Sequence, residues 1–84
     1  MNYKNICRYI KNGYYDEVIN LSDKEKNNAL CKASENGHLQ VVEFLIQNGS
    51  DIHAVDDYAL IHASENGHLQ VVEFLIQNGA NIHI

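Results

Sequence analysis

The sequence predicts an all-α fold, a short solenoid of stacked helix-turn-helix units, and three observations carry that expectation. First, the stretch Ala33–Gly49, ASENGHLQVVEFLIQNG, returns letter for letter from Ala63 to Gly79, a spacing of 30 residues. Ala29-Leu30 and Ile52-His53 return at the same spacing as Ala59-Leu60 and Ile82-His83. Self-similarity at such a period marks an array whose units bury their apolar faces only against one another. Second, each copy holds two apolar runs. A short one (Ala29, Leu30, Ala33) ends at Asn36-Gly37 and a longer one (Leu39 to Ile46) ends at Asn48-Gly49. A glycine placed there takes the left-handed conformation that closes a helix. Third, the chain has no Pro to interrupt a helix.

The chain reads as one domain, 1–84, of three units. Residues 2–24 form a degenerate first copy: Cys7 to Leu21, CRYIKNGYYDEVINL, lies on Cys31 to Leu45, CKASENGHLQVVEFL, with Cys, Asn-Gly, one Val and the final Leu in register. Glu17 stands where the later copies have Val41 and Val71, as suits a terminal repeat whose outer side meets water. Ser22 to Asn28 reads as a polar connector, with Ser22 or Asp23 available to cap a helix or turn.

The second copy, 25–54, should hold helices over about Asn28–Glu35 and Leu39–Asn48. Leu30, Ala33, Val41, Val42, Leu45 and Ile46 face inward, and small residues at 29, 33 and 34 permit close helix approach. Ser50 to His53 would open an extended loop. The third copy, 55–84, should hold helices over about Tyr58–Glu65 and Leu69–Asn78. Asp56 and Asp57 would precede the first, where carboxylates favour a helix N-terminus.

Composition narrows the class. The chain has 84 residues, 45% apolar, enough for a globular but marginal core. No N-terminal apolar segment suggests a secretory leader, and no apolar run reaches the roughly 20 residues of a membrane span. Cys7 and Cys31 read as small buried apolar residues, since matching positions in stacked units lie too far apart for a disulfide. The expected setting is a soluble protein in a reducing, intracellular and cytoplasmic compartment. Net charge is −5, and all six basic residues lie at or before Lys32, leaving an acidic C-terminal half. An acidic chain without a basic stripe is a poor nucleic-acid binder.

The five histidines invite a metal hypothesis. His38 and His68 are equivalent, as are His53 and His83, and equivalent positions stand about 8–10 Å apart. Ligands to one zinc ion lie about 2 Å from it, so no metal site is expected. His38 and His68 are expected to help start the second helix of each unit. No glycine pattern cradles a phosphate, and no nucleophile–base or paired-carboxylate arrangement stands out. No catalysis and no cofactor are expected.

Gly67 to Ile82, GHLQVVEFLIQNGANI, resembles the second half of an ankyrin repeat, as does Gly37 to Ile52. Ala59, Leu60, Ala63 and Ser64 match the first ankyrin helix less fully, and Gly13 to Val18 resembles the polar repeat that opens many such arrays. There are departures. The family repeat has about 33 residues and these have 30. The Gly-x-Thr-Pro turn is missing between Asp56 and Leu60, and Cys31 and Ile61 replace the family's His. The resemblance therefore implies reduced β-fingers. Short, Pro-free repeats of this kind resemble those of large families in giant DNA viruses, which would place the chain in a host cell.

The resemblance also implies a function: binding a protein partner, without turnover, on a concave face lined by the first helices and the loops before them. Carried over position by position, that face has one row of Arg8, Lys32 and His62 and a second of Lys11, Glu35 and Glu65. Asp56, Asp57 and Tyr58 join it from the loop before the last unit. The competing expectation is a structural or vestigial fragment of a longer array with no partner of its own. The last copy repeats an internal helix unchanged, so its outer side should be apolar, as expected first of a fragment or short paralogue of a longer array, second of self-association through the C-terminal repeat, and otherwise of a partner docked there.

Overall fold

The computed structural model describes residues 1–80 and, of Asp56, the backbone only. Helices α1 (Tyr3–Lys11), α2 (Tyr15–Ile19), α3 (Asp23–Glu35), α4 (Leu39–Gln47), α5 (Ala54–Glu65) and α6 (Leu69–Gln77) form three successive pairs. No strand occurs among the described residues, so the reduced β-finger goes over into a plain turn at 52–53. Ile82 and His83 lie outside the described residues.

The first helices stack as α1, α3 and α5, and the second helix α4 lies against both α1 and α6. A single core runs through the stack. Ile6 and Ile10 come from α1, Leu30 and Ala33 from α3, Val41, Val42 and Leu45 from α4, Leu60 and Ala63 from α5, and Val71 and Leu75 from α6. The inward set expected of α4 is buried except Ile46, which is half-buried.

Two expected boundaries are corrected. The polar connector after Ser22 is helical, because Ser22 caps α3: its Oγ accepts from the Glu25 amide at 3.2 Å and donates to Glu25 Oε1 at 3.2 Å. That N-cap begins a helical turn that hydrophobic periodicity could not reveal. The first helix of the last copy likewise starts at Ala54, so Asp56 and Asp57 lie in its first turn, not before it. That turn is irregular: Val55 (φ 54°) and Asp57 (φ 63°) adopt left-handed backbone, a conformation that is a genuine outlier for a β-branched residue.

The α3 stop is a Schellman motif. The His38 amide donates to the Ala33 carbonyl at 2.9 Å and the Gly37 amide to the Ser34 carbonyl at 3.3 Å, with Gly37 at φ 73°. His38 and His68 do occupy the N-cap positions of α4 and α6, but neither ring makes a capping bond. Both rings reach back to the preceding copy instead. His38 Nδ1 is 2.6 Å from the Tyr3 hydroxyl, and His68 Nε2 is 3.0 Å from the Glu35 carbonyl oxygen.

Candidate functional site

The first helices of the three copies, with the residues leading into α1, enclose a groove of about 470 Å³. Its walls come from Tyr3 and Ile6 of α1, Glu25 and Lys32 of α3, and Val55 and Tyr58 of α5, over a floor of Ala29 and Cys31. The helical period explains α1's share. Tyr3, Ile6, Cys7 and Ile10 recur at three- and four-residue intervals on one face, and Ile6 and Ile10 anchor that face in the core.

The charged groups lining the groove are the Met1 amine, Glu25 and Lys32. The Met1 amine lies 3.2 Å from Glu25 Oε2. That ammonium, together with the Ser22 hydroxyl, holds the Glu25 carboxyl below its ordinary range. Lys32 is exposed and forms no ion pair among the described residues. Burial pushes the Cys31 thiol up, with a smaller push from Glu35, which disfavours the reactive thiolate. Burial, and then the hydrogen bond with Cys7, raises the Tyr3 hydroxyl. Both cysteines are free and buried.

Glu35 is the polar junction between the second and third copies. Its carboxylate accepts from the Tyr58 hydroxyl at 2.5 Å, and its carbonyl oxygen accepts from Asn66 Nδ2 at 3.0 Å and contacts the His68 ring. His62 stacks on Tyr58 with ring centroids 3.8 Å apart, and its Nδ1 stands 3.8 Å from Glu35 Oε2 and 3.9 Å from Glu65 Oε2. The Glu35 carboxylate, chiefly by accepting its proton in a hydrogen bond, raises the Tyr58 hydroxyl.

The structure thus brings together Lys32 and Tyr58 at the groove, and Glu35, Tyr58, His62 and Glu65 at the copy junction. It does not bring Arg8 and Lys11 to either. Arg8 is exposed, its guanidinium donating to Asn5 Oδ1 at 2.8 Å and lying 5.9 Å from the Tyr9 ring centre. Lys11 is exposed in the last turn of α1. Asp57 is a correction. It is 6% exposed and pairs with His53 Nδ1 at 2.6 Å, because the left-handed backbone at 55 and 57 turns its side chain into the fold. The side chain of Asp56 lies outside the described residues. Tyr3, Ile6, Glu25 and Val55 join the groove unforeseen. The apolar period of α1 could have revealed Tyr3 and Ile6, whereas no local pattern marks Glu25 or Val55.

Among the described residues no helix is long and apolar enough to cross a membrane, and no group of three His, Cys, Asp or Glu side chains could hold a metal ion.

Compared with known proteins, the chain matches the family model for ankyrin repeats (3 copies) over residues 1–84. It is 42% identical over 38 residues to alpha-latrotoxin-Lh1a of Latrodectus hasselti, covering 45% of this chain and 3% of that protein. It is 49% identical over 37 residues to ankyrin repeat domain-containing protein 49 of Bos taurus, covering 44% of this chain and 16% of that protein. The chain thus spans a small fraction of either relative. No solved structure gives a significant match.

Proposed function

The chain belongs to the ankyrin-repeat family, whose repeats are generally protein–protein interaction modules, and on that footing we propose that it binds a protein partner in the groove along α1, α3 and α5, without turnover. The observation that carries this reading is the groove itself. It has an apolar floor, a half-buried Tyr58 as an aromatic anchor of the kind that dominates interface energies, and an exposed Lys32 beside it. Polar groups that could otherwise act on a substrate are engaged within the chain: Glu35 with Tyr58, and Asp57 with His53. An origin in a giant DNA virus, and with it a place in the host cytoplasm, belongs to the same proposal and rests on the 30-residue, Pro-free repeat.

The test is a pair of changes at the groove edge. Lys32→Glu with Val55→Asp alters two exposed side chains and should leave the helical content unchanged by circular dichroism. Proteins from a cell extract held by the immobilised wild-type chain are identified by mass spectrometry, and their affinity for the double variant is measured. A loss of about tenfold or more is the expected hot-spot effect. An undiminished affinity for the double variant counts against the groove as the binding surface.

A further inference from the structure

We propose that Cys7 is a modification site, a thiol that reacts with soft carbon electrophiles by passing its proton to His38. The two cysteines supply the comparison. Cys7 on α1 and Cys31 on α3 hold matching positions in successive copies, both are free, and each is 9% exposed. Access is therefore the same, and a difference in reactivity comes from what surrounds each sulfur.

Around Cys7 the surroundings are those of a nucleophile with its base. Nδ1 of His38 stands 4.0 Å from Cys7 Sγ and 2.6 Å from the Tyr3 hydroxyl. The Tyr3 hydroxyl, one turn earlier on α1, also bonds to Cys7, so thiol, phenol and imidazole form one connected cluster. With its ring proton on Nε2, the imidazole presents Nδ1 as an acceptor. The distance from sulfur to nitrogen is long for a resting hydrogen bond, and such contacts tighten as a reaction proceeds. His38 is exposed, which leaves its ring room to close on the sulfur. The charges differ as well. One turn beyond the cysteine, α1 has Lys11 where α3 has Glu35, and α1 contains no acidic residue. Negative charge growing on Cys7 during attack therefore forms on a helix of net positive charge. On Cys31 it would form beside a carboxylate, in a thiol already pushed up by burial and then by Glu35. In the reaction with an α-haloamide, the sulfur lone pair makes the S–C bond, the carbon–halogen bond breaks, and halide leaves with its electron pair. The thiol proton goes to His38 Nδ1 and from the imidazolium to water.

Iodoacetamide is the probe, applied near neutral pH to the whole 84-residue chain, with the rate at each thiol read by mass spectrometry of the digested peptides. Cys7 should be alkylated about tenfold or more faster than Cys31. In urea, where both thiols lose their neighbours, the two rates should converge. His38→Gln should remove most of the preference by slowing Cys7 alone. His68→Gln, which changes the twin ring packed over Gly37 and Glu35, should leave the rate at Cys7 as it was. Circular dichroism shows which variants keep their helices; if His38→Gln does not, the comparison of the parent chain in buffer and in urea still decides. Equal rates in the folded chain overturn the proposal. So does a preference that survives in urea, a folded His38→Gln chain that keeps the whole preference, or a His68→Gln variant that slows Cys7 as much as His38→Gln. The rates are read with no protein partner present, so they stand apart from the test of the groove.

Discussion

Identical residues in this chain meet different neighbours, so each repeated position is its own control. Gly37 and Gly67 both close a first helix with left-handed backbone, φ 73° and 75°. At Gly67 an added Cβ meets open space. At Gly37 it would lie 2.5 Å from Nδ1 of His68, whose ring is packed over the glycine and bonded to the Glu35 carbonyl. Gly67→Ala should cost about 1–2 kcal/mol for the left-handed conformation alone. Gly37→Ala should cost about 1 kcal/mol more, because the His68 ring must leave and its hydrogen bond goes with it. Urea unfolding of the two variants side by side checks this, and equal losses would show that the His68 contact contributes nothing. Asn36 and Asn66 make the same point. Asn36 Nδ2 donates to its own helix, at the Lys32 carbonyl, whereas Asn66 Nδ2 crosses to Glu35 of the earlier copy.

At the scale of the helix, α3 shows how a local signal sets an element's length. Ala29, Leu30 and Ala33 mark its buried half, but its first turn is polar: Asp23, Lys24, Glu25 and Lys26. What makes that turn helical is the exchange between Ser22 and Glu25, which satisfies an amide that would otherwise be orphaned. Ser22→Ala should lower stability by about 1 kcal/mol, seen as a reduced Tm with unchanged core packing. No change on substitution would mean that docking, not the cap, holds the turn. The opening of α5 follows another logic. His38 and His68 start their helices without side-chain caps, and α5 starts on His53, again with no side-chain cap. There the pairing of Asp57 with His53 anchors a turn whose backbone at Val55 is strained.

Across the whole molecule the stack is joined by one core and by a small set of polar bonds between copies, and these give it a pH dependence on the alkaline side. The Tyr58 hydroxyl is raised by its bond to Glu35, the Tyr3 hydroxyl by burial, and the Cys31 thiol by burial. Each folded value lies above the unfolded one, about 8.5 for Cys and about 10 for Tyr. The stabilisation is therefore complete below those values, where both states keep the proton. It is lost as pH rises through the folded values, because the unfolded chain ionises first. Stability should be flat near neutrality and fall above about pH 9, as followed by urea midpoints. Glu35→Gln removes the charge beside Tyr58, so its phenolate absorbance should appear at lower pH than in the parent chain. An unmoved titration would show that Glu35 is not the cause.

What the sequence determined by itself is the architecture. A string that returns after 30 residues, with apolar positions at helical spacing and Asn-Gly stops, places the helices α4 and α6 to within a residue, because burial period and backbone chirality are local properties of the chain. The same string assigns Leu30, Val41, Val42 and Leu45 to the core. Tertiary structure alone decided which polar residues stand free. Asp57 reads as an exposed acid beside Tyr58 yet is buried, and Glu35 reads as a partner-facing carboxylate yet ties two copies together. The groove itself needs Tyr3, Glu25 and Val55, drawn from three helices far apart in the chain. The physical reason is that a side chain's neighbours across a helix interface come from other copies. Two segments spelled with the same letters therefore differ in burial: among the described residues Leu39 is half-buried and Leu69 exposed, Val42 buried and Val72 half-buried.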